Sequence, residues 1–244
     1  MSTDVLGTIR IPAAFNGPPH SSNGGYTAGR VAAFLNGPHA MRISSPIPLE
    51  TDLTLHRDGD VVKVLEGERV ILTARPNPLT LTPPQPPSLA AAMTAQEHPI
   101  NFGAGGPSTC FVCGRNRAEG EGLRVWCGKV DGFDGAVEVW TPHQNFADAE
   151  GRVRPEVMWS ALDCPGGYCL PEANRRVLLG EMTADVFECP PVGEPTILVS
   201  WHDRSEGRKH FAGTAMFSAG GKLLAQADTL WIELKPEHVN AMFG

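Results

Sequence analysis

Two short segments, 24–35 (GGYTAGRVAAFL) and 155–162 (PEVMWSAL), constrain this chain most, because each interrupts strand-like sequence with a single apolar helix. The first is rich in Ala and other small residues. The second has Pro155 at a plausible first helical turn with Glu156 beside it, a helix-start signature. A helix that is apolar around most of its circumference must be buried, and a curved antiparallel sheet wrapped about it would bury it.

The flanking sequence supplies strands for such sheets. Residues 40–48, 51–58 and 61–74 are rich in β-branched and aliphatic residues, and turn signals such as Arg57-Asp58-Gly59-Asp60 separate them. In the second half, 123–130, 136–141, 177–187, 196–202, 210–218 and 223–234 read the same way, with Gly220-Gly221 forming a hairpin. Helix plus strands therefore occurs twice, a repeat with a period of about half the chain. Between the halves runs NPLTLTPPQPPSL, whose five prolines suit an extended connector rather than a helix or a central strand. Ser88 can cap a short Ala-rich helix just after it, a weak packing element. The expected organisation is a first unit over 1–75, a connector over 76–109 and a second unit over 110–244.

Composition narrows the function. A net charge of -7 argues against wrapping nucleic acid, which needs clustered Lys and Arg, but allows a small anionic ligand in a local basic pocket. The N-terminus MSTDVLGTIRIP has no basic region followed by an apolar run, and no stretch of about eighteen apolar residues occurs, so neither secretion by that route nor a membrane span is expected. The six cysteines are then expected as free thiols in a cytoplasmic protein. Cys110 and Cys113 form a CxxC, but no second CxxC or paired His follows at suitable spacing, so no metal and no cofactor is expected. GxSxG, P-loop and GxGxxG motifs are missing too.

Several segments resemble the hotdog thioesterase superfamily, whose members wrap a sheet around a central helix and pair two such units across their sheet edges. CFVCGRNRAEGEGLRV from Cys110 is similar to an opening strand, and HQNFADAEGRVRPEVMWSALD from His143 to the loop and central helix. The run from GEMTADVF at Gly180 onward is similar to the strands that follow; in the first half FNGPPHSSNGGYTAGRVAAFL carries the likeness. The resemblance implies an α+β double hotdog, with two antiparallel sheets each wrapped around a central helix and paired as a pseudo-dimer. It further implies hydrolysis of acyl-CoA thioesters, as in acyl-CoA thioesterase II. Two fused units already satisfy the pairing that single units obtain by dimerising, and homo-oligomerisation is a further option. The partner implied is a small acyl-CoA substrate, with no nucleic acid and no membrane.

The superfamily motif is His-Gly-Gly at the helix start, with an acid seven positions after the second glycine. Asn23-Gly24-Gly25 has the turn, with Asn for His, but the seventh position after Gly25 is Ala32. In the second half Asp163 follows Glu156 by seven, yet Arg154-Pro155-Glu156 has no glycine. The losses are complementary, so one composite site is expected from Asn23, Gly24 and Gly25 with Asp163. Gly24 and Gly25 would offer N–H groups to an oxyanion at a helix start, and Asp163 would act as base or nucleophile. Pro165 disfavours helical geometry at Cys164 and so puts Asp163 near a helix end or kink. A structural alternative has Asp163 bonding to an N–H of the Gly166-Gly167 turn.

Around this pair, Ser160 lies one helical turn before Asp163 and either orients it or is a satisfied core hydroxyl. The resemblance assigns Thr183 to a polar strand position beside the acid and Thr229 to the place of a site glutamine, with Gln226 nearby. Asn16 and His20 precede the glycine turn, and Gln144 and Asn145 hold the equivalent place in the second half. Arg204, Arg208 and Lys209 are candidates for coenzyme A phosphates or form a solvated hairpin tip. A non-catalytic acyl-thioester binding protein is the alternative function, favoured by Asn23 in place of His. A hydratase or dehydratase lacks its His-acid pair at a helix start.

Overall fold

A computed structural model describes residues 4–101, 108–171, 176–235 and 237–239. Parts of the expected connector (102–107) and of the second unit (172–175, 236 and 240–244) lie outside the described residues. In the first half, β1 (Asp4–Arg10) precedes helix α1 (Gly24–Ala32), followed by β2 (His39–Ile43), β3 (Asp52–Asp58), β4 (Val61–Glu66) and β5 (Arg69–Pro76). Helix α2 (Leu89–Met93) lies in the connector. The second half contributes β6 (Ala136–Trp140), helices α3 (Pro155–Asp163) and α4 (Pro165–Tyr168), and β7 (Val177–Val186), β8 (Thr196–Glu206), β9 (Lys209–Ser218) and β10 (Leu223–Glu233).

The strands form one antiparallel sheet in the order β1-β3-β4-β5-β2-β7-β10-β9-β8-β6. Five strands of each half meet at β2 and β7, through Ala40 opposite Thr183, Met41 opposite Met182 and Arg42 opposite Glu181. The two sheets expected from sequence are thus continuous. Met41 and Met182 are fully buried at this seam, and burying such a side chain is worth roughly 1.5–3 kcal/mol. The stretch 61–74 is two strands, because Gly67 adopts φ +57° and turns the chain between β4 and β5. Residues 123–130 form no strand. Arg124 takes a positive φ there, and the segment makes only scattered backbone bonds, such as Gly128 with Val137.

Helices α1 and α3 pack on one face of the sheet and against each other. Their close approach follows from Gly25 and Gly29, one helical turn apart on α1. A Cβ at Gly25 would stand 2.7 Å from the Trp159 carbonyl oxygen, and one at Gly29 would stand 2.6 Å from the Glu156 Cα. Only hydrogen side chains permit that spacing. Pro165 does not break helical geometry as expected; Cys164 stays in the right-handed region at φ −55°, ψ −35°, and α4 follows directly, with Asp163 as the last residue of α3.

The other face of the second half carries its own core. Ala92 and Ala95 are fully buried against Val137, Ile197, Val199 and Ala215, so the Ala-rich helix packs firmly because small side chains let it lie close to the sheet. Ser88 caps it as expected, accepting the Ala91 N–H. The proline-rich segment runs along this outer face. Asn77 donates to Thr183 Oγ1 at 3.1 Å, and the Thr80 N–H donates to Asp228 at 2.7 Å. Among the described residues, no helix is long and apolar enough to cross a membrane.

Candidate active site

Local chemistry fixes the start of α1. Asn23 is its N-cap, accepting the Tyr26 N–H on Oδ1 at 2.8 Å. That bond turns its Nδ2 outward as a donor, which reaches Asp163 Oδ2 at 2.8 Å. The Gly25 N–H donates to the same oxygen at 2.9 Å. The preceding loop is braced by bonds from Ser22 N–H to the Ile47 carbonyl and from Asn23 N–H to the Phe15 carbonyl, both 2.9 Å. A turn from the first half and a carboxylate from the second therefore meet, 138 residues apart in sequence.

Asp163 is almost completely buried, and its Oδ1 has no hydrogen-bond partner among the described residues. Burial pushes its pKa up to about 7, against the opposing pull of the Gly25 N–H and with a further upward push from nearby Cys110. The carboxyl faces a cavity of about 300 Å³. Residues 17–24 and 43–47 line one side of it, and 110, 113, 163–164, 177–180 and the end of β10 line the other. The walls are mainly apolar, including Ile43, Leu179 and Trp231, a lining suited to an apolar ligand.

Of the expected site residues, Asn23, Gly24 and Asp163 line the cavity, and Gly25 lies behind its wall, bonded to Asp163. The expected pair of oxyanion donors is reduced to one, because the Gly25 N–H is engaged by Asp163. The Gly24 N–H, in the first helical turn, has no helical partner. Asp163 does not bond to the Gly166-Gly167 turn; Gly167 N–H donates to the Cys164 carbonyl instead. Ser160 back-bonds to the Glu156 carbonyl at 2.8 Å, the core-hydroxyl alternative.

The remaining candidates stand away from the cavity wall. Thr183 projects to the outer face toward Asn77, since its neighbour Met182 faces the helices and a strand alternates faces. Thr229 is on the helix side but donates to the Ala212 carbonyl and accepts from Trp231. Asn16 is tied to Gly17, Thr109 and Arg117, and His20 is exposed. Gln226 shares the outer face of β10 with Asp228 by the same alternation. Asn145 bonds to the Gly120 carbonyl, and Gln144 lies with it in a short 3-10 turn. Arg204 pairs with Asp203 and Glu206, and Lys209 is exposed at the β8–β9 hairpin. Arg208, also exposed, donates to the carbonyl of Glu233, between cavity-lining Ile232 and Leu234.

Sequence reasoning missed one group. Cys110, Cys113 and Cys164 lie on the cavity wall beside Asp163, with their sulfurs all within 4.8 Å of one another. The adjacency of Cys164 to Asp163 was the available signal, once Asp163 was placed against the first half. Residues 110–114, expected as an opening strand, form a turn closed by the Gly114 N–H on the Cys110 carbonyl at 2.9 Å.

No protein-family model matches the chain, and no curated protein matches it in sequence. Solved structures do match in shape. A candidate thioesterase from Novosphingobium aromaticivorans is 12% identical with a TM-score of 0.59, covering 93% of this chain and 95% of that one. The TesB protein of Mycobacterium avium subspecies paratuberculosis is 10% identical with a TM-score of 0.58, covering 93% and 92%. A hot dog fold protein of unknown function from Alicyclobacillus acidocaldarius is 12% identical with a TM-score of 0.57, covering 94% and 93%. The chain has the hotdog fold, in an arrangement that spans nearly the whole length of these proteins.

Proposed function

We propose that this chain hydrolyses acyl-CoA thioesters at one composite site between two hotdog units, 1–75 and 110–244, joined by the connector 76–109 as a fused pseudo-dimer. The observation that carries this reading is the state of the Asp163 carboxylate. Oδ2 is clamped by Asn23 and Gly25 of the first half, while Oδ1 is buried without a protein partner at an apolar cavity. A carboxylate so held is oriented by one oxygen and reactive through the other. The thioester carbonyl oxygen accepts from the Gly24 N–H at the start of α1, where the helix dipole favours developing negative charge. Oδ1 takes a proton from water as that water attacks the carbonyl carbon; the C–S bond then breaks, and the coenzyme A thiolate leaves with that proton. In direct attack by Oδ1 the C–S bond breaks as an acyl anhydride forms, and water opens the anhydride to return the carboxylate and protonate the thiolate. The acyl chain fills the apolar cavity, and Arg208, bonded to the Glu233 carbonyl next to cavity-lining Ile232 and Leu234, is the basic candidate assigned to the coenzyme A phosphates.

The thioesterase description of one structural neighbour, the Novosphingobium protein, agrees with this chemistry. The test is release of free coenzyme A from a panel of acyl-CoA chain lengths by the wild type and by Asp163→Asn. Turnover should fall at least about a hundredfold in the variant, the scale of losing a general base. Unchanged turnover in the variant rejects Asp163 as the catalyst. Saturable binding without turnover by the wild type establishes a binding protein instead.

A further inference from the structure

The three clustered cysteines have no part in that hydrolysis, and their arrangement exceeds what a core requires. Buried cysteine is ordinary as a small apolar side chain, but here two separate segments bring three sulfurs to one point. Cys110 and Cys113 come from the turn at 110–114 and Cys164 from the junction of α3 and α4. Cys110 and Cys164 sulfurs are 3.9 Å apart. Tetrahedral zinc with bonds of about 2.3 Å to sulfur places its ligand sulfurs about 3.8 Å from one another.

Cys110 and Cys113 share one tight turn, and both line the cavity. Gly114 closes the turn, and a Cβ there would stand 2.4 Å from the Cys110 carbonyl oxygen, so only glycine fits. Asp163, whose Oδ1 is buried and without a protein partner among the described residues, lines the same cavity as the three cysteines. That cavity also supplies the access route an ion needs.

We propose that Cys110, Cys113 and Cys164 form a binding site for a thiophilic divalent cation, zinc(II), held by three thiolates with its fourth position open to the cavity beside Asp163. Three soft sulfur ligands select zinc over magnesium or calcium, which need oxygen. Binding replaces three S–H protons with three S–Zn bonds and releases three protons to solvent, with no change of oxidation state. The site is independent of the thioesterase reading, because its test reads metal and thiols rather than turnover.

The experiment uses full-length protein, reduced and stripped of metal by chelator under anaerobic conditions, then given zinc(II) or cobalt(II) alone. One zinc per chain should be retained after gel filtration. Alkylation followed by mass spectrometry should show Cys110, Cys113 and Cys164 protected by zinc while Cys127, Cys169 and Cys189 react as before. Cobalt should give a thiolate charge-transfer band with the strong visible bands of tetrahedral coordination. Cys164→Ser should lose at least about a hundredfold in zinc affinity, while Cys189→Ser retains it. Equal alkylation of the three thiols with and without zinc overturns the proposal, and this wild-type measurement decides even if Cys164→Ser fails to fold. Zinc held equally by a folded Cys164→Ser, or a disulfide within the cluster in place of metal binding, also overturns it.

Discussion

Substituting Gly29 by Ala tests whether the contact of α1 with α3 sets the site. In an ordinary helix interior this change gains up to about 1 kcal/mol of propensity. Here the added Cβ would lie 2.6 Å from the Glu156 Cα and 2.9 Å from the Trp159 Cβ. Carbon atoms separate at about 3.5–4.0 Å, so the overlap is roughly 1 Å. Backbone and Cβ atoms cannot swing aside, and the helices themselves must part. Overpacking of this kind costs about 1–3 kcal/mol, leaving a net loss of up to roughly 2 kcal/mol after the propensity gain, or a fall in Tm of up to about 8 °C for a chain this long.

The site should suffer more than the fold. Opening the helices by about 1 Å stretches the Asn23 and Gly25 bonds to Asp163 from 2.8 and 2.9 Å to nearly 4 Å, past hydrogen-bonding range. A displacement of that size costs about a hundredfold in turnover, although Gly29 touches no substrate. Thermal melts and acyl-CoA hydrolysis of Gly29→Ala measure both effects. Gly220→Ala, whose Cβ would meet only Ser218 Oγ at 3.8 Å, serves as the control and should stay within about 0.5 kcal/mol of wild type. A Gly29→Ala protein as stable and as active as wild type would refute the argument that this glycine contact positions the carboxylate.

Two further outcomes follow from individual bonds. Glu138 on β6 is buried, with Gln96 on Oε1 and, among the described residues, nothing on Oε2, and burial raises its pKa from 4.5 to about 7. Below pH about 4.5 the folded and unfolded chains both hold this proton, so it costs nothing; between about 4.5 and 7 the unfolded chain releases it first, and stability falls as pH rises. Above pH 7 the penalty is complete, on the order of 3 kcal/mol, so Glu138→Gln should raise Tm at pH 8 and lose that advantage near pH 4; a gain equal at both values contradicts it. Asn23→Ala removes an N-cap worth about 1 kcal/mol together with one donor to Asp163. Its urea midpoint should drop modestly while turnover falls by more than stability explains, and a loss of stability alone would make Asn23 a cap and nothing else.

The helix and strand repeat was readable because each of its parts is a local signal. Runs rich in β-branched and aliphatic residues marked β3, β8, β9 and β10, small residues marked α1, and Pro155 marked the start of α3. The missed strand β1 shows what such signals cannot carry. It is an edge strand in which only Ile9 is buried, with a register shift at Gly7, so it presents almost no alternation. Residues 123–130 err in the other direction. Their Leu and Val pattern looks like a strand, but their backbone partners are loop carbonyls of Phe111 and Val112, which only the tertiary fold supplies. Thr183 and Thr229 depended on which face each strand residue takes, a one-residue question that pairing register decides.

The meeting of Asn23 and Gly25 with Asp163 was legible for a different reason: each half lacks what the other retains. The structure gives the loss a physical form at the start of α3, the place corresponding to the start of α1. Pro155 removes one N–H of the first turn, and Arg154 lies 3.8 Å from Glu156. Phe15 stacks on Tyr26 at 3.9 Å nearby, with Phe111 edge-on to both. A proline and a charged pair thus occupy the helix start that would face Ala32 rather than an acid. A second carboxylate placed there would meet no glycine amides, so restoring the acid alone, as Ala32→Asp, should add no activity and should destabilise the fold. Of the cysteine cluster only the CxxC was visible in sequence, because Cys164 joins Cys110 and Cys113 only in the folded chain.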